Sequence, residues 1–169
     1  MVEMIRPEVQ DHGQMQAGCL QVIQRLGPVC RHDFLDTFDF NLGTVEPGDK
    51  QIKDGTFNLF VYNGYPISAT PQLYYYDDYF IFIDSLYTTA QTAEAGTLDD
   101  QCMVSEKTKS VLSATVDENK MSRLRAASKV IVVSRFNTAS HPNCDYVKIY
   151  DNYSMDIQLT GLFTFFTGY

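Results

Sequence analysis

From Phe34 onward the apolar side chains take up a period of two, segment by segment, and residues in that period are buried on one side of a strand. The clearest case comes last. Met155, Ile157, Leu159, Phe163 and Phe165 share one face, while Asp156, Gln158, Thr160 and Thr164 share the other. Gly161 interrupts the apolar row and is expected to mark a bulge. Phe38, Phe40 and Leu42 alternate with Thr37, Asp39 and Asn41 in the same way, and Phe57, Leu59 and Val61 form another row. Eleven Phe and eleven Tyr, with no Trp, favour the pleated, half-buried surface of a sheet.

Residues 73–76 and 79–86 read as two strands separated by Asp77-Asp78. The second is apolar on both sides, Phe80 and Phe82 against Ile81 and Ile83, as befits a sandwich interior or a covered face. Further strands are expected over 111–116, 130–136 and 146–150. Glu46-Pro47-Gly48-Asp49 has turn chemistry. Asn63-Gly64 favours the left-handed conformations of a tight hairpin, although Tyr65-Pro66 implies a longer connection. Residues 88–109 show little periodicity and read as a long loop. Asp117 is placed to cap a brief helix running to Ala126, with Met121 and Leu124 facing inward. About eight strands with close turn signals and one inserted helix define an all-β fold, an antiparallel β-sandwich.

The first 33 residues differ in kind, since they contain no aromatic side chain. Met15, Cys19, Val22, Ile23 and Leu26 recur at helical spacing, and Gly27-Pro28 ends the pattern. The chain therefore divides into a separate N-terminal helical segment, 1–33, and a β-sandwich domain, 34–169. A chain of 169 residues suits one domain with a short appendage. A core of that size needs no metal or disulfide staple.

A net charge of −8 makes nucleic acid and anionic lipid poor partners, although acidity also serves solubility. Cys19, Cys30, Cys102 and Cys144 form neither a Cys-x-x-Cys pair nor a zinc spacing, and Cys19–Cys30 is the local disulfide candidate. No run approaches the roughly 20 apolar residues of a membrane span, so no transmembrane segment is expected. Glu3, Arg6, Glu8, Asp11 and His12 occupy the place of a signal peptide's apolar stretch. Either the chain is cytoplasmic or its export signal lies outside this sequence.

Chemistry is sparse. His12, His32 and His141 sit in no recognisable motif, and His141 with Cys144 is the best nucleophile-and-base pair; it reads as a loop histidine before a proline. Asp77-Asp78 and Asp99-Asp100 offer clustered oxygens to calcium but lack its spaced ligand loop, and read as turn residues. No metal or cofactor is expected. Arg123, Arg125 and Lys129 read as the solvated face of the short helix, and the sequon Asn152-Tyr153-Ser154 as coincidence. Tyr74-Tyr75-Tyr76, with Tyr79, Tyr87, Tyr146 and Tyr150, carries more weight. Tyr74, Tyr76 and Tyr79 are the ligand-binding candidates, an aromatic platform against which sugars could stack. The plainer alternative is that successive tyrosines alternate between core and surface.

The ordered series "FDFNLGTV", "DGTFNLFVYNGYPI", "IFIDSL", "ASKVIVVSRFNT" and "VKIYDNYSMDIQL" resembles a β-sandwich module of Bacteroidetes envelope and surface proteins, over about residues 37–166. The resemblance rests on strand pattern. It implies a non-catalytic module of the cell envelope or exterior, with an envelope or surface protein as partner. Three readings follow: a non-enzymatic interaction or assembly module, a carbohydrate-binding module using the tyrosines, and, far behind, a glycan hydrolase with a carboxylate pair.

Overall fold

The computed structural model describes residues 33–42, 51–137 and 148–166. The expected N-terminal helix, the turn at 46–49, His141 and Cys144 all lie outside the described residues.

The strands are β1 (Asp33–Asp39), β2 (Gln51–Asn63), β3 (Ser68–Tyr76), β4 (Phe82–Ser85), β5 (Thr97–Leu98), β6 (Val104–Glu106), β7 (Thr108–Val116), β8 (Lys129–Asn137) and β9 (Met155–Phe166), with helix α1 (Glu118–Leu124) between β7 and β8. Every paired ladder among the described residues is antiparallel. One sheet runs β1-β8-β3-β4 and the other β7-β2-β9, with β5 and β6 forming a separate ribbon. The all-β antiparallel fold with one short helix is as the sequence implies.

Alternation turns one row of each strand inward. Phe57, Leu59 and Val61 of β2 join Leu112, Ala114 and Val116 of β7 and Leu159 and Phe163 of β9. Leu73 and Tyr75 of β3 and Val130 and Val132 of β8 belong to the same buried cluster, so the two sheets close over one core. At about 25 cal/mol per Å² of apolar surface, this burial is the main stabilising contribution. Helix α1 closes one end. Asp117 caps it by accepting the Lys120 N–H at 2.8 Å, while Met121 and Leu124 are fully buried.

Two glycines shape the β2–β9 pair. Gly55 faces Phe163 and Phe57 faces Gly161, so each bulky ring stands opposite a gap. A Cβ on Gly161 would come within 2.3 Å of the Phe163 ring, which packs edge-on to Phe57 at 5.2 Å. Gly161 is therefore not a bulge but a place for a ring. The register irregularity of this ladder lies instead between Ile52 and Asp54.

Asn63-Gly64 does not form a hairpin. β2 and β3 belong to opposite sheets, and residues 64–67 cross between them. The Asn63 side chain is the fastener: fully buried, it donates to the Ile67 and Glu94 carbonyls and accepts the Tyr65 N–H, each at 2.9 Å. The 88–109 stretch is likewise more ordered than its composition implies. Ala93 bridges Ala69, Gln91 donates to the Ser113 carbonyl, Glu94 N–H reaches the Ser110 hydroxyl, and β5–β6 folds back on itself. The strand expected over 146–150 is absent from its described part, residues 148–150.

Candidate functional site

The two Asp-Asp pairs build the same turn. Asp77 Oδ1 accepts the N–H groups of Tyr79 and Ile81 at 2.9 and 2.8 Å, and Asp99 Oδ1 accepts those of Gln101 and Met103, both at 2.9 Å. In each loop the fourth residue donates to the first residue's carbonyl, and the first and fifth residues pair through their backbones. That geometry needs a left-handed residue at the fourth position, which is usually glycine. Here it is Phe80, at φ 58°, and Cys102, at φ 60°. Cys102 is disulfide-bonded, and the other three cysteines lie outside the described residues. The first aspartate of each pair is thus committed to its own turn. Among the described residues no His, Cys, Asp and Glu group could hold a metal ion.

The first turn carries an unusual load. Tyr79 is 86% exposed, Phe80 56%, Ile81 63% and Phe82 54%. The sequence leads one to expect a strand here, covered on both faces. Instead the strand starts only at Phe82, and the three residues before it stand in solvent at the tip of the β3–β4 hairpin. A continuous apolar run reads alike as buried strand or exposed loop; the Asp77 carboxylate decides between them.

Of the three tyrosine candidates, Tyr74 and Tyr76 lie on the outward face of β3 and both pack on Phe82. Their ring centroids are 6.2 and 5.8 Å away, at interplanar angles of 59° and 70°. Tyr79 is at the tip and joins no ring pair among the described residues. Tyr75 points the other way, into the core, with Phe40 edge-on at 4.9 Å. Tyr74 and Tyr76 thus share Phe82 as a neighbour, while Tyr79 stands apart at the tip. Phe80, Ile81 and Phe82 complete this surface.

Behind the hairpin lies a second feature, with no sequence signature because its walls come from three separate stretches. The cleft, of about 580 Å³, opens between β4 and β7, the edge strands of the two sheets, and α1 closes its end. Arg123 Nε donates to Asp84 Oδ2 at 2.9 Å, and Lys120 Nζ to the Leu86 carbonyl at 2.7 Å. Burial pushes the Asp84 carboxyl up, but the Ser85 N–H, the Arg123 bond and the charges of Lys120 and Arg123 outweigh it, leaving it below its ordinary value. Burial depresses Lys120, with Asp84 and Asp117 pulling back. The Tyr87 hydroxyl, raised by burial, donates to the Leu112 carbonyl at 3.0 Å.

No protein-family model and no curated protein matches this chain. Among solved structures, a candidate secreted protein of Parabacteroides distasonis superposes at TM-score 0.44 with 9% identity, over 76% of this chain and 37% of the other. The chain thus spans little more than a third of that protein. At that level of likeness no site residue transfers. No described helix is long and apolar enough to cross a membrane, which does not bear on crossing by strands.

Proposed function

We propose that this domain is a non-catalytic surface or envelope module that binds a partner protein through the tip of its β3–β4 hairpin. The observation that carries the reading is Phe80. A bulky residue in the left-handed region costs about 1–2 kcal/mol relative to glycine, and this one is 56% exposed, so the core does not account for it. Strain kept beside an exposed apolar group is a mark of function. Tyr79, Phe80 and Ile81 would seat in an apolar pocket of the partner, as aromatic anchors do at interface centres. The neighbouring acidic residues and the −8 net charge favour a protein with a basic rim over an anionic membrane. The Cys102 disulfide supports an exported location, because disulfides persist in oxidising compartments.

The test is a photo-crosslinking residue in place of Tyr79 in the producing cells, with one at Val111, also exposed, as control. An adduct with one exported protein from position 79 alone, lost in the Phe80→Gly background, is expected. Equal labelling from both positions, or none, would overturn the proposal.

A further inference from the structure

The cleft between β4 and β7 is lined by groups with unused hydrogen-bonding capacity. Lys120 has three donors and, among the described residues, uses one, on Leu86. Arg123 commits Nε to Asp84, and its terminal nitrogens make no bond among the described residues. Gln91 spends an amide N–H on Ser113 while its oxygen accepts no bond among the described residues, and Asp117 uses one carboxylate oxygen as helix cap. The hydroxyls of Thr88, Thr89 and Thr115 make no bond among the described residues either.

Charge decides what such a cleft can hold. Lys120 and Arg123 are offset by Asp84 and Asp117, so the lining has two positive and two negative groups and no net sign. An anion would meet the two carboxylates, and a cation the lysine and arginine. A neutral ligand with many hydroxyls meets neither penalty and satisfies both kinds of group, since each hydroxyl both donates and accepts. Hydrogen bonds to charged groups are also the stronger ones.

We infer that this cleft is a binding site for a neutral saccharide, held by Asp84, Gln91, Lys120 and Arg123 and distinct from the aromatic hairpin. Tyr87 is only 4% exposed, so recognition is by hydrogen bonding with little ring stacking. Position favours access, because the cleft lies between two edge strands and not under either sheet face.

The test is affinity electrophoresis of the full chain through gels containing soluble neutral glucans, mannans, galactans or xylans, with polygalacturonate as the anionic control. At least one neutral polymer is expected to retard the protein. The double variant Asp84→Asn/Arg123→Gln should weaken retention at least about tenfold, the loss of one charge-assisted bond, whereas Phe80→Gly should leave it unchanged. Gln91→Leu, farther from the helix, gives a second reading if the double variant does not fold. Failure of every neutral polymer to retard the chain would overturn the inference, as would retention by polygalacturonate alone. Retention that survives both cleft variants, or that is lost only on Tyr74→Ala/Tyr76→Ala, would remove the cleft from the account. None of these results depends on the hairpin's partner, which the crosslinking experiment addresses separately.

Discussion

Tyr75 is fully buried, and its hydroxyl finds no hydrogen-bond partner among the described residues. An unpaired buried hydroxyl is a penalty of about 1–3 kcal/mol, so Tyr75→Phe is expected to stabilise the fold, by about 1 kcal/mol, in a urea melt. A loss of stability instead would mean that the hydroxyl has a partner. Gly161→Val should do the opposite. Its side chain would enter the space of the Phe163 ring, 2.3 Å from the Cβ position, and overpacking of this kind costs about 1–3 kcal/mol. Gly161→Val/Phe163→Leu should recover part of that loss if the ring is the cause.

Among elements, the crossing from β2 to β3 and the tip of the hairpin from β3 to β4 sit at opposite extremes of burial. The first is pinned by Asn63, whose removal takes a hydrogen bond from each of two carbonyls and one N–H. Asn63→Ala is therefore expected to cost about 3 kcal/mol, with faster amide exchange in residues 64–67 and 93–96 as the local signature. The second is held by the Asp77 turn, and Phe80→Gly is expected to raise stability by about 1 kcal/mol while abolishing the crosslink. These two elements also mark how far the sequence could be read. Strands β7, β8 and β9 were legible because one face of each is buried, which imprints a period of two. The hairpin tip was not, since four apolar residues in succession look the same in a core and in solvent. Tyr74 and Tyr76 could be assigned a shared face by counting, but not their packing on Phe82, which depends on pairing between β3 and β4. The cleft was invisible, because Asp84, Gln91 and Lys120 become neighbours only after two sheets and a helix assemble.

For the molecule as a whole, two buried tyrosines set an alkaline limit. Burial raises both Tyr75 and Tyr87 above the ordinary tyrosine value, near 10. Their contribution is complete below that value, where both states hold the proton. It is lost as pH rises above about 10, where the unfolded chain ionises first. Melting temperature should fall steeply there, and less steeply in Tyr75→Phe; an equal fall in both would exclude Tyr75 as the cause. At the acid end, depressed Asp84 works in the other sense, adding stability above about pH 4 that is lost as pH drops through its folded value. The Cys102 disulfide adds a redox term: reduction should lower stability by about 2–4 kcal/mol, and an unchanged melt in reductant would show that the bond is not structural. The twin aspartate turns have a consequence beyond any of these numbers. Since one carboxylate organises each loop, the left-handed position is open to different uses, a disulfide sulfur at Cys102 and an exposed ring at Phe80, where the side chain is cargo. A lineage could then exchange the displayed side chains, and with them its partner, while the sandwich beneath stayed as it was.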